Sequence, residues 1–257
     1  MISVGTSGFS YADWVGPFYP KTLAKQDFLS YYSQHFRVCE LNFSYYRVPT
    51  AQTLERMIQT SDGQVEFVIK ANKAMTHERN SDNSQVFTSF IDALMPLRER
   101  QVLGAVLAQF PFSFHNTPGN REYVKRVREL LEDIPLVIEF RHHNWVKEAT
   151  FAMLKQLGCG FCCVDEPQLP GLLPPLAVAT SPIGYVRFHG RNREAWWQHN
   201  DPAERYNYYY TEAELQEWVP RIQRLAKHTR KVYVFTNNHP HGQAVQNAKR
   251  LQALFSE

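Results

Sequence analysis

The sequence predicts an α/β protein built as a (β/α)8 TIM-type barrel. Three observations carry this reading: a length of 257 residues, eight short β-branched or aromatic runs spread along the whole chain, and helical periodicity in most of the gaps between them. A chain of this length suits one barrel, so a single domain over residues 1–257 is expected.

The expected strands are Ile2–Thr6, Val38–Phe43, Glu66–Lys70, Leu103–Gln109, Leu136–Arg141, Gly160–Asp165, Tyr185–His189 and Val232–Asn237. Most are near-continuous apolar runs, as parallel strands covered on both faces require. Thr50 is the expected N-cap of a helix carrying Leu54, Met57 and Ile58 at helical spacing. Helices are likewise expected over residues 84–98 and 120–132, from Thr211 through Leu225 behind a Thr211–Glu214 capping box, and from about Gln243 to Leu254. Between the sixth and seventh strands, Pro167, Pro170, Pro174 and Pro175 forbid a regular helix, so that connection is expected to be irregular. Two further connections are long. One is polar and runs from about Ala71 to Asn83. The other follows His189 to about Tyr210 and concentrates Arg191, Arg193, Trp196, Trp197, Arg205, Tyr206 and three more tyrosines, the makings of a lid or binding platform.

A net charge of +3 without a basic stripe argues only weakly for nucleic acid. The four cysteines, Cys39, Cys159, Cys162 and Cys163, form no paired C-x-x-C framework and are expected to be buried free thiols. The N-terminus shows no signal-peptide pattern and no apolar stretch is long enough to span a bilayer, so a cytoplasmic protein without a membrane partner is expected.

The main chemical signal is the polar residue that ends each expected strand. These are Thr6-Ser7-Gly8, Glu40 with Asn42, Lys70, Gln109, Glu139 with Arg141, Asp165, Arg187 with His189, and Asn237 with Asn238. Burying any one charge alone mid-strand costs several kcal/mol, so the endings are expected to converge on one wet pocket at the barrel mouth. Glu40, Lys70, Glu139, Asp165 and Arg187 are expected to form one coupled network. Glu139 or Asp165 would serve as general acid or base, Glu40 beside them, with His189 as proton shuttle. Lys70 is either a Schiff-base nucleophile or charge balance for Glu40 or Glu139. Arg187 and His189, beside Gly190, suit an anion, to which Thr6-Ser7-Gly8 would offer backbone N–H groups. Glu40, Glu139, Asp165 and His189 are of a kind that holds divalent metals, but no H-E-x-x-H spacing supports a metal site, and the sequence carries no signature of an organic cofactor.

Taken together, Gly5-Thr6-Ser7-Gly8-Phe9-Ser10-Tyr11, Trp14, Phe18-Tyr19-Pro20, Glu40-Leu41-Asn42 with Tyr45-Tyr46, Lys70 with Thr76-His77, Gln109-Phe110-Pro111, Glu139-Phe140-Arg141-His142 with Trp145, Arg187-Phe188-His189-Gly190-Arg191 and Asn237-Asn238-His239 resemble the YecE-like family, domain of unknown function seventy-two. Phe9 stands where that pattern usually has Trp, and Tyr45 where it has Phe. The resemblance implies a TIM-type barrel and brings no reaction with it.

The favoured functional expectation is an enzyme (a lyase, isomerase or hydrolase) or a binder acting on a small anionic ligand, phosphorylated or sugar-like. The alternatives are a nucleic-acid binder or metal-dependent endonuclease-like hydrolase, using the arginine and aromatic loop, and a non-catalytic ligand sensor.

Overall fold

The computed structural model describes residues 1–79 and 83–256; Asn80, Ser81 and Asp82, in the polar connection after the third strand, lie outside the described residues. Eight parallel strands close a barrel in sequence order. They are β1 (Ile2–Ser7), β2 (Val38–Leu41), β3 (Glu66–Lys70), β4 (Leu103–Gln109), β5 (Leu136–Glu139), β6 (Gly160–Asp165), β7 (Ile183–Phe188) and β8 (Lys231–Thr236). The seam between β8 and β1 pairs five residues, from Ile2 opposite Val232 to Thr6 opposite Thr236.

The helical layer consists of α1 (Phe28–Ser33), α2 (Phe43–Tyr46), α3 (Ala51–Thr60), α4 (Ser84–Glu99), α5 (Pro118–Leu130), α6 (Glu148–Gln156), α7 (Glu212–Gln216), α8 (Val219–His228) and α9 (Gln243–Leu254). Local chemistry sets several starts. The Thr50 hydroxyl accepts from Thr53 N at α3, and Thr211 and Glu214 complete a reciprocal capping box at α7. The expected continuous helix from Thr211 to Leu225 is instead two helices. Pro220 has no N–H to donate and its ring would clash with the Gln216 carbonyl, so the chain breaks and restarts with the proline in the first turn of α8. No helix forms between β6 and β7, as the prolines require.

Two expected strands end two residues early, while β7 and β8 end one residue early. β2 stops at Leu41, and Asn42 turns into helical backbone (φ −97°, ψ −17°) to open α2; β5 stops at Glu139, leaving Arg141 beyond the sheet. Neither residue leaves the mouth, because parallel strands in a barrel all deliver their following residues to one face. Inside the barrel, Tyr185 and Tyr233 pack 6.1 Å apart between ring centroids, and Tyr185 and Phe235 lie 5.4 Å apart. The Tyr233 hydroxyl donates to Glu66 at 2.5 Å near the opposite end of the barrel. All four cysteines are buried and free. No described helix is long and apolar enough to cross a membrane.

Gly5 permits the closest approach in the barrel wall: a Cβ there would sit 2.2 Å from the Val38 carbonyl oxygen. Backbone cannot yield as a side-chain tip can, so Gly5→Ala is expected to part β1 from β2 and destabilise the protein by more than about 2 kcal/mol. Urea denaturation checks this; an unchanged midpoint would show that the seam tolerates a methyl.

Candidate functional site

The site is organised around Arg187, delivered by β7 into the barrel and 1% exposed. Its Nη1 donates to Glu139 Oε2 at 2.7 Å and its Nη2 to Glu40 Oε1 at 2.6 Å, so one guanidinium bridges β5 and β2 across the interior. Ser7 Oγ lies 3.4 Å from Nη2. Tyr185, two residues earlier on the same face, donates its hydroxyl to Glu40 Oε2 at 2.6 Å. Glu139 Oε1 lies 2.6 Å from Arg141 Nε and 3.1 Å from His189 Nε2. Burial alone would raise the Glu139 carboxyl, but Arg141 and Arg187 outweigh it and hold the group well below the usual carboxylate range.

His189 is fully buried between Glu139 and Asn237, whose amide lies 3.1 Å from Nδ1. A carboxylate cannot donate, so Nε2 carries the proton and Nδ1 accepts from Asn237. Desolvation, then Arg141, lowers the imidazole to about 3, leaving it neutral with both nitrogens engaged. Held on both nitrogens, His189 orients Glu139. Both oxygens of Glu139 are likewise engaged, one by Arg187 and the other by Arg141 and His189.

Lys70 differs from its neighbours. Its Nζ makes no ion pair or hydrogen bond among the described residues and sits 4.6 Å from the centroid of the Tyr45 ring. Desolvation first, then Arg187, lowers its amine to about 7, with Arg141 acting in the same direction and Glu139 and Glu40 opposing. The expectation of charge balance for Glu40 or Glu139 is thereby corrected: arginine, tyrosine and histidine already take up the oxygens of both carboxylates.

Above this layer opens a cavity of about 770 Å3. Its floor presents Lys70, Arg141 and Arg187 with Asn42, Gln109 and Asn237; its walls are Phe9, Tyr11, Phe43, Tyr45, Tyr46 and Phe112. The long connection after β7 closes one side with Trp196, Trp197, His199, Arg205 and Tyr206, consistent with the expected platform. His77 and His239 also line it; burial, then Lys70, lowers His77 to about 4.

Four expected site residues lie elsewhere or contribute differently. Asp165 faces the helical layer, because Cys162 on the same strand turns inward toward Glu139 and the residue three along takes the other face. There Asp165 accepts from Arg191 (2.9 and 2.7 Å), Tyr210 (2.6 Å) and Trp218 (2.6 Å), so it leaves the coupled network and anchors the base of the long connection. Thr6 turns outward to Tyr32, and Asn238 donates to the Tyr208 carbonyl. Gly8 lines the cavity, but its N–H donates to the Glu40 carbonyl and the Thr6 N–H to Tyr32, so these N–H groups are not offered to an anion.

Glu166 is not among the expected site residues. Its carboxylate is buried, accepts from Leu173 N at 2.9 Å and lies 3.6 Å from Arg141. Burial raises it to about 7 against the pull of Arg141. A metal would need free carboxylates at the mouth; those of Glu40 and Glu139 face guanidinium groups, and no group of three or more His, Cys, Asp or Glu is placed to hold a metal ion among the described residues.

A closed parallel barrel whose strand ends hold a buried charge cluster beneath a cavity defines a TIM-barrel protein with its charged residues gathered at the carboxyl face. The chain belongs to the family described as protein of unknown function DUF72, whose model matches residues 3–257. It is 32% identical over 269 residues to the UPF0759 protein YunF of Bacillus subtilis, covering 99% of this chain and 94% of that one. A crystal structure of a DUF72 family protein from Thermotoga maritima superposes with a TM-score of 0.93 at 39% identity over all of both chains. One from Enterococcus faecalis gives 0.87 at 26% identity, over 100% of this chain and 96% of that one.

Two substitutions should move stability in opposite directions. Glu139→Gln leaves Arg141 and Arg187 without their shared anion and is expected to cost about 3–5 kcal/mol. Lys70→Met is expected to stabilise by about 1 kcal/mol at neutral pH. The sign follows from the lowered amine: unfolded lysine binds its proton below about 10.5 and the folded one only below about 7, so folding loses stability as pH falls through that window. The gain in Lys70→Met should therefore shrink as pH rises from about 7 toward 10.5. Chemical denaturation across that range measures both; destabilisation by Lys70→Met at neutral pH would show that the amine has a structural partner.

Proposed function

We propose that the cavity binds a small organic anion, a carboxylate or phosphate ester carrying a ring or sugar-like body, and that the protein acts on it as an enzyme. The observation that carries this reading is the floor: Lys70, Arg141 and Arg187 face the cavity, while the carboxylates that pair with the two arginines, Glu40, Glu139 and Glu166, do not line it, and the Lys70 amine has no anionic partner among the described residues. A largely water-excluded surface on which basic side chains are the charged groups facing the cavity favours an anion. The volume is that of a small-molecule site, and the aromatic walls suit the face of a ring. The same geometry speaks against nucleic acid. The cations lie at the bottom of a cavity, while Arg191 and Arg193 in the long connection are taken up by Asp165 and the Gln168 carbonyl. The free buried thiols support a cytoplasmic protein.

Thermal melts with millimolar inorganic phosphate, small phosphate monoesters and small carboxylates test this. A ligand at tenfold its Kd stabilises by about 1.4 kcal/mol, a shift of about 2–4 °C for a chain of this size. Stabilisation by at least one anion class is expected in wild type and reduced in Lys70→Met. It should weaken as pH rises through about 7, where Lys70 loses its charge. Melts that respond to no anion, or equally in Lys70→Met, would overturn the reading.

A further inference from the structure

We propose that Lys70 is a covalent catalytic residue that forms an imine with the carbonyl carbon of the bound anion, so that the ligand is an anionic aldehyde or ketone. This rests on the anion reading above and names the reactive group of the ligand.

The geometry singles out this amine. Lys70 ends β3, projects into the cavity and touches the Tyr45 ring, with no acceptor on its Nζ among the described residues. A lysine kept for charge balance would sit on a carboxylate, but Glu40 is held by Arg187 and Tyr185, and Glu139 by Arg187, Arg141 and His189. The groups that face Lys70 are Arg187 from β7, Arg141 and Glu139 from β5 and its following turn, Glu40 from β2, and Tyr45 and His77 at the cavity wall. The two guanidinium groups disfavour an ammonium beside them and can hold the anionic end of a ligand next to a neutral amine. A nucleophilic lysine requires this environment: desolvated, next to fixed cations and open to the cavity. Its amine at about 7 agrees with that placement.

The step balances without a redox partner. The Nζ lone pair attacks the carbonyl carbon, forming the N–C bond, and the C=O π pair moves to oxygen, which takes up a proton as the nitrogen releases one. The carbinolamine then expels its hydroxyl with a second proton as water, and the C=N bond forms.

The test uses glycolaldehyde phosphate, and glycolaldehyde as the uncharged control, with borohydride reduction of the imine to a secondary amine and peptide mass spectrometry to find the modified lysine. At neutral pH about half of Lys70 is neutral, against roughly four parts in ten thousand of an ordinary lysine, an advantage of about 1,000-fold that the weaker nucleophilicity of a less basic amine reduces, so reduced adduct should form at Lys70 at least about 100-fold faster than at any other lysine. The phosphorylated aldehyde should be preferred over the control. The rate at saturating aldehyde should rise to a plateau as pH passes about 7, opposite to the pH dependence of phosphate affinity. Lys70→Arg keeps the cation and should retain stabilisation by inorganic phosphate while losing the adduct. Adduct spread over surface lysines, or a Lys70 rate that climbs to about pH 10, would overturn the imine. Phosphate stabilisation without a Lys70 adduct would overturn the imine and leave the anion reading standing; no response to phosphate or to either aldehyde would overturn both.

Discussion

One guanidinium joins opposite walls of this barrel. Arg187 spans from Glu40 on β2 to Glu139 on β5, and the fates of the other polar strand ends follow from that bridge. A buried cation of this kind is tolerated only when its donors are matched and the acceptors are themselves saturated. Tyr185 completes Glu40, and Arg141 and His189 complete Glu139. Once those acceptors are filled, neither Glu40 nor Glu139 is left to pair with Lys70. Lys70 is thus left without a carboxylate by its neighbours' mutual satisfaction.

The arrangement separates two tasks that the same residue types could have shared. The lower tier is charge-dense, dry and neutral in its histidine, and it sets geometry. The upper tier presents one amine, the outer faces of two arginines and three amides to a cavity walled by aromatic rings. Asp165 performs a comparable structural task outside the barrel. By receiving Arg191, Tyr210 and Trp218 it fastens both ends of the long connection after β7 to the helical layer, so that Trp196, Trp197 and Tyr206 are presented from a fixed base.

Much of this was legible in the sequence, for identifiable reasons. Apolar runs ending in a polar residue marked the strands and the mouth, so Glu40, Glu139, Arg141, Arg187 and Asn237 were found together. Period two fixes which residues of a strand share a face, but not which face is inward. Asp165 was misassigned for that reason, since its partners Tyr210 and Trp218 are 45 and 53 residues away. Glu166 was invisible because it follows a strand in a proline-rich connection, where a carboxylate ordinarily meets water; its burial depends on Leu173 N and Arg141. The choice between nucleophile and counter-ion for Lys70 was open in the sequence, because it depends on how many donors Glu40 and Glu139 already have.

The seam between β1 and β8 has a consequence for how the protein is made. Ile2 through Thr6 wait for Val232 through Thr236, so the first strand synthesised pairs on one edge with the last. During translation Glu40 emerges nearly 150 residues before its cation Arg187, and meanwhile water solvates it at no cost. Desolvation of the whole charge cluster is therefore deferred until ring closure, when every partner is present at once. Closure is late, non-local and cooperative, and until then the nascent barrel is an open sheet with exposed apolar strand edges, the state in which a chaperone would find it.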